Sequence, residues 1–197
     1  MRTGLESVQR ILAKHYVHRN QSALVRSKIK EKGRQKVIDK VTVDHAARVA
    51  GWELASAVDN PVVTLEGRVE SNGNFHGAPV AYALDFLAIV AADLASISER
   101  RTDRFLDKAR NHGLPPFLAD DPGVDSGHMI AQYTQAAIVS ELKRLASPAS
   151  VDSIPSSAMQ EDHVSMGWSA ARKLRRSVDG LARVLAVEVL TASRGLQ

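Results

Sequence analysis

At 197 residues, with 44% hydrophobic, 24% charged and 5% aromatic content, the chain is long enough to bury one good core and reads as one domain or a large piece of one. The absence of cysteine excludes disulfides, thiolate zinc sites and cysteine nucleophiles; it fits a reducing compartment, so the cytoplasm is the expected location. The net charge of +4 is unevenly spread, because residues 1–40 hold 11 Lys/Arg against 3 Asp/Glu whereas residues 41–197 hold 15 against 19.

Residues 4–19 place Leu5, Val8, Ile11, Leu12 and Tyr16 at helical spacing, which predicts a short amphipathic helix with a basic outer face. Such a face suits nucleic acid or an acidic partner, but it is more often simply solvated, and nucleic-acid binding is not expected. MRTGLESVQR has no apolar signal core, and no uninterrupted apolar run, such as Leu87 to Val90, approaches the roughly 20 residues of a membrane span; none is expected. The Lys-rich stretch 20–40, broken by Gly33, has weak periodicity and is expected to be irregular or partner-dependent. Together 1–40 form a basic N-terminal segment, distinct from 41–197.

From 41 to 58 the apolar positions Val43, Ala46, Val49, Ala50, Leu54 and Val58 predict a helix that stops at Asp59-Asn60-Pro61. VVTLEGRV (62–69) predicts a short hairpin and SNGNFHG a loop. Residues 79–110 read as one long helix whose first half is apolar on nearly every face, so burial in a bundle and oligomerisation are expected. GLPPFLADDPGVDSG (113–127) is too rich in Pro and Gly for regular structure, a helix is predicted over 129–145, a Ser/Pro-rich connection over 147–160, and a last helix over 163–193. The predicted fold class is all-α: a bundle of long antiparallel helices with elaborate connecting loops.

The residues able to carry chemistry lie in those loops: Asn72-Gly73-Asn74-Phe75-His76, the Asp120/Asp121 pair, and Gln160-Glu161-Asp162-His163. Glu161 and His163 have the chemistry of an acid–base pair or of two metal ligands, but at i and i+2 they do not face each other on a helix, and no metal site is expected. The plainer alternative sets Glu161 and Asp162 at the positive N-terminus of the last helix. Asp120 and Asp121 read as a solvated loop. Phosphate loops, nucleophile elbows and kinase motifs are absent from the sequence.

SAVDNPVV, SNGNFHGAPVAYALDFLAIVAADLASISERR, LPPFLADDPGVDSGHMIAQYTQAA, SPASVDSIPSSAMQEDHVSMG and AARKLRR…RVLAVEVLTASRGL follow one another in unbroken order. In this, residues 41–197 resemble the C-terminal helical part of the aromatic amino acid ammonia-lyases and aminomutases, the histidine-specific members above all. The resemblance implies removal of ammonia from an aromatic or histidine-like amino acid by means of a methylidene-imidazolone (MIO). That electrophile forms from an Ala-Ser-Gly stretch in the family's N-terminal half, and this sequence has no Ala-Ser-Gly; Asp125-Ser126-Gly127 matches a different loop. The cofactor is therefore expected from a partner chain bearing Ala-Ser-Gly, in a hetero-oligomer that also binds the small amino acid.

Carried over position by position, Phe75 matches the aromatic residue beside substrate and cofactor, Glu161 the carboxylate that faces the substrate side chain and serves catalysis, and Gln160 the neighbouring pocket amide. Met159 stands where the family usually has Asn, and Leu142 and Ser147 also replace typical polar residues. The family's Gln, catalytic Tyr and carboxylate-binding Arg before the first matched helix align with Leu24, Ser27 and Lys30, leaving Lys30 as the substrate-binding candidate there; Arg26 takes that place if the register slips, and Tyr16 is a remote substitute for the tyrosine. Three readings stay open: the C-terminal subunit of a split lyase or aminomutase, a non-catalytic or repurposed relative serving assembly, regulation or ligand binding, and a truncated gene product.

Overall fold

The computed structural model describes residues 42–197; the chain divides into two units at Lys40/Val41. The expected helix over 4–19, the stretch 20–40 and Lys30 lie outside the described residues. The first described element, α1, spans 42–55 and ends before the predicted 58, where the Ser56 hydroxyl turns back to donate to the Trp52 carbonyl (2.7 Å). Its expected apolar stripe is only partly used: Ala46 is buried, whereas Val43, Leu54 and Val58 are exposed and have no cover among the described residues. His45 meets Phe86 edge-on, ring centroids 6.2 Å apart. The predicted hairpin forms, β1 (Val62–Val63) pairing antiparallel with β2 (Val69–Glu70), with Gly67 at φ 77° in the turn.

Three long helices make the bundle. α2 spans Ala78–Leu106, α3 Met129–Leu145 and α4 Gly167–Arg194. Along α2 the buried positions Ala81, Asp85, Ala88, Ala92, Ala95, Glu99, Thr102 and Leu106 alternate four and three apart, a stripe in which small side chains let neighbouring helices come close. The apolar centre joins Ala92 and Ala95 of α2 to Val139, Leu142 and Leu145 of α3 and Val184 of α4. Leu142, one of the departures from the family pattern, is thus a core residue, 1% exposed. α2 stops four residues short of the predicted 110, because Asp107 turns extended and its carboxylate accepts the Ala109 amide (2.9 Å), while Arg110 folds back to Asp103 (2.7 Å).

The helices run up, down, up. Asp85 meets Lys173 near the starts of α2 and α4, and Ser98 meets Glu188 near their ends, so these two are parallel; Gln132 meets Glu99 and Gln135 meets Val184, so α3 is antiparallel to both. Polar pairs lock the arrangement. Glu188, 1% exposed, accepts from Ser98 Oγ (2.6 Å) and Arg101 Nη2 (2.7 Å). Gln132 Nε2 donates to Glu99 (2.6 Å), and Gln135 Nε2 to the Val184 carbonyl (2.8 Å). By length and composition the stretch Asn74–Leu106, which contains α2, is large enough to cross a membrane, which counting uninterrupted apolar runs did not foresee. It carries two buried carboxylates, Asp85 and Glu99, each paired with a polar side chain of a neighbouring helix in the bundle, a costly arrangement in hydrocarbon. Tyr82, Phe86 and Ile89 leave one of its faces partly open.

At the end where α2 and α4 finish, residues 107–128 form an ordered loop. Asp125 accepts the amides of Asp121 (3.0 Å) and Gly127 (2.6 Å), and Asp120, exposed as expected, also pairs with Arg194. Gly127 sits at φ 48°, and a Cβ there would come within 2.4 Å of the Phe117 carbonyl oxygen. Gly127→Ala should therefore lower stability by about 1–3 kcal/mol, through strain and overpacking against backbone that cannot yield. Thermal unfolding checks this, and an unchanged midpoint would contradict it.

At the opposite end, buried Asp85 accepts the Ser150 amide (2.7 Å) and Lys173 Nζ (3.1 Å), while Lys173 also donates to the Ser147 carbonyl. Burial alone would push the Asp85 carboxyl up; the Ser150 and Lys173 contacts outweigh it and hold it below the usual Asp value. A depressed carboxyl stabilises the fold fully above the unfolded-state value, about 4, and the contribution is lost as pH falls through the folded value. Asp85→Asn should cost about 1–3 kcal/mol at neutral pH, the worth of hydrogen bonds to a charged group. In urea titrations its deficit should shrink as pH is lowered below about 4; a deficit that stays constant with pH would contradict the assignment.

Candidate functional site at the paired helix starts

Because α2 and α4 are parallel, the loops that lead into them meet at one end of the bundle. The first, 71–77, is fastened by Asn72: its side-chain amide donates to the carbonyls of Ala57 (2.8 Å) and Asp59 (3.0 Å), and its side-chain oxygen accepts the Asn74 amide (3.1 Å). A single 3-10 turn over Asn74–His76 follows, and Gly77 at φ 65° redirects the chain into α2. Phe75 and His76 stack with ring centroids 4.1 Å apart, so the turn presents an aromatic ring beside an imidazole.

The second loop, 146–166, is anchored by the Ser150–Asp85 contact and then doubles back on itself. Ser156 and Glu161 exchange backbone hydrogen bonds (2.9 and 3.2 Å), closing a tight loop in which Ser157, Ala158 and Met159 all take positive φ, 52°, 54° and 71°. Three successive non-glycine residues in the left-handed region store strain that the surrounding contacts hold in place. Met159 and Gln160 ride on this turn, both exposed. Further on, the Val164 amide donates to Ser153 Oγ (3.1 Å), Ser153 Oγ shares a hydrogen bond with His163 Nδ1 (3.2 Å), and Ser165 Oγ donates to the His76 carbonyl, tying this loop to the first.

The two loops bring Glu161 to His76. Glu161 Oε2 lies 3.2 Å from His76 Nε2, with side chains 32% and 18% exposed, and the His163 ring stands edge-on to His76 at 6.1 Å. Glu161 and Phe75, both expected in the site, thus flank the same imidazole. Sequence reasoning weighed Glu161 with His163 and set the pair aside on spacing; the imidazole that meets the carboxylate is His76, from a loop far away in sequence that had been singled out without this pairing. The alternative placing Glu161 at the start of the last helix is overturned, since α4 begins at Gly167, after the predicted 163, and has no acidic residue in its first turn. Ser147, another of the departures from the family pattern, contributes its carbonyl to the Lys173 anchor. Among the described residues no group of three or more His, Asp and Glu is arranged to hold a metal. Of two cavities of about 340 and 350 Å³, one lies beside Phe117 and Tyr133 at the other end of the bundle, and the other is lined by Ser71, Asn72 and Asn74 of the first loop; neither is lined by Phe75, His76 or Glu161.

The chain that carries this surface is similar to known proteins over most of its length. A family model described as aromatic amino acid lyase matches residues 5–197, taking in the N-terminal segment that the five motifs leave out. A histidine ammonia-lyase of Streptomyces griseus is 80% identical over 156 residues, covering 79% of this chain and 30% of its own length. One from Deinococcus radiodurans is 56% identical over 152 residues, 77% of this chain and 29% of its own. Among solved structures, histidine ammonia-lyase from Trypanosoma cruzi superposes with a TM-score of 0.68 at 46% identity, covering 77% of this chain and 31% of that one. Tyrosine aminomutase from Streptomyces globisporus superposes at 0.80 with 34% identity over 97% of this chain and 38% of that one. The chain spans about 30% of the length of the curated relatives it matches. With the family model covering nearly every residue, the chain belongs to the aromatic amino acid lyase family.

Proposed function

We propose that this chain supplies one wall of an ammonia-lyase active site acting on histidine or another aromatic amino acid, and that a second chain carrying Ala-Ser-Gly completes the site in a hetero-oligomer working in the cytoplasm. The observation that carries the reading is the Glu161 carboxylate and the Phe75 ring set on one imidazole, His76, at the meeting of two loops, in a stretch of 156 residues 80% identical to a histidine ammonia-lyase. Oε2 of Glu161 is engaged by His76, while Oε1 makes no hydrogen bond or ion pair among the described residues and is left to meet a ligand. A carboxylate so placed is suited to accept an N–H from a polar aromatic side chain such as imidazole and to move a proton there. Phe75, 42% exposed, offers a ring face for a planar substrate to pack against.

The family's methylidene-imidazolone fits these residues as something they border rather than something they make. With Ala-Ser-Gly absent from the sequence, Phe75 and Glu161 would flank the group without forming it. When bound it supplies the electrophile that this chain's own side chains cannot provide. What the chain itself does is orient the substrate ring, exclude water through Phe75 and hold a proton acceptor at Glu161. Lys30, aligned with the family's carboxylate-binding Arg, is proposed to bind the substrate carboxylate, and Met159 and Gln160 to border its side chain. The absence of a tyrosine from the aligned position 27 favours the second reading, a relative that keeps the bundle for assembly or ligand binding without turnover.

Co-expression with an ammonia-lyase-like chain bearing Ala-Ser-Gly separates the two. Histidine as the probe should yield ammonia and an unsaturated acid from the co-purified complex, and no product from this chain alone. In that complex Glu161→Gln, which keeps the shape and removes the charge, should lower kcat/KM by about 10²-fold or more with folding little changed. A stable complex with no turnover would favour the non-catalytic reading, and a Glu161→Gln complex of full activity would remove Glu161 from the chemistry.

A further inference from the structure

His76 has no role in the family resemblance, yet its ring is held on several sides at the site. Its ring is covered by Phe75 at 4.1 Å on one side and met edge-on by His163 at 6.1 Å, its carbonyl is fastened by Ser165 Oγ, and Gly77 fixes the chain directly after it. Its side chain is 18% exposed, against 32% for Glu161. Glu161, by contrast, sits at the foot of the left-handed turn over 157–159, and the only ion pair its carboxylate makes among the described residues is with Nε2 of His76, 3.2 Å away. A flexible glutamate with one anchored oxygen has one oxygen left to aim.

We infer that His76 is the positioning residue for Glu161: it grips Oε2 so that Oε1 points at the ligand, with Phe75 and His163 fixing the imidazole and Ser153 in turn steadying His163. The inference rests on the proposed lyase reading for its catalytic consequence, but the pairing itself is a property of this chain alone. A positioning role acts through Glu161, so loss of His76 should matter only while the carboxylate is there. It should also act mainly on kcat, because misaiming a proton acceptor disturbs the reacting geometry more than it weakens binding.

In the co-purified complex with histidine as the probe, His76→Phe keeps the ring against Phe75 and His163 but removes the nitrogen; it should lower kcat by about 10- to 100-fold with KM little changed. His76→Gln, whose amide is able to reach the same carboxylate oxygen, should recover part of that loss. His76→Phe added to Glu161→Gln should cost almost nothing further. Full kcat in His76→Phe, or losses that simply multiply in the double variant, would overturn the inference. The pairing is read independently from the imidazole nitrogen resonances of the ¹⁵N-labelled chain by itself: Glu161→Gln should move those of His76, and unmoved resonances overturn the inference whatever the kinetics. If the wild-type complex forms no product, the lyase reading fails, and the nitrogen resonances still decide whether His76 holds Glu161.

Discussion

The whole arrangement follows from one constraint: three helices joined in sequence and packed on one another run up, down and up, so the first and third point the same way. Parallel α2 and α4 place their starting loops at one end of the bundle and their finishing ends, with the 107–128 loop, at the other. Small residues make this close packing feasible. Alanines at 81, 88, 92 and 95 along α2, and Gly180 on α4 where a Cβ would meet Leu142 at 2.8 Å, let the backbones approach. With so many small side chains along the seam, specificity of register falls to the buried polar pairs. Glu188 with Ser98 and Arg101 fixes one end of the α2/α4 pair, and Asp85 with Lys173 and Ser150 fixes the other.

Those polar pairs cost desolvation and are not the cheapest way to hold helices together, since an apolar pair of equal volume is often as stable. What they add is directional. The Asp85 contact reaches out of the helix pair to the backbone of Ser150, so the same group that aligns α2 with α4 also anchors the loop that carries Glu161. From that anchor the loop runs through Ser153 and the strained turn at 157–159 to deliver Glu161 beside His76. Core electrostatics and site geometry are therefore one connected set of contacts.

The helices were legible in the sequence because their signal is local: an apolar period of 3.6, interrupted by Pro and Gly. Boundaries moved by a few residues where side chains outside the pattern decided them, as when Asp107 ended α2 through its own contacts with Ala109 and Arg110. α4 starts at Gly167 behind Met166, with no side-chain cap to announce it. The exposed apolar positions of α1, Val43 and Leu54, show that periodicity marks a face to be covered without saying by what. The loops that hold Phe75 and Glu161 stood out by their composition, but the roles of the two residues came only by likeness to a family. The pairing of Glu161 with His76 was not found at all, since it joins distant loops, and the left-handed turn that makes it feasible is built from Ser157, Ala158 and Met159, none of which signals such a turn as glycine would.

The central claim is that the start of α4 rests against the start of α2, and it is open to a direct covalent test in a chain free of cysteine. Gly167 lies so that an added Cβ would stand 3.6 Å from the Cβ of Ala81, within the span of about 3.5–4.5 Å that a disulfide requires. The double variant Ala81→Cys/Gly167→Cys, oxidised under mild conditions and read by intact mass and by thiol labelling before and after reduction, should close an intramolecular disulfide nearly completely. Two thiols that stay free and label fully in the folded protein would contradict the parallel pairing of α2 and α4, and with it the meeting of the two loops at Glu161 and His76.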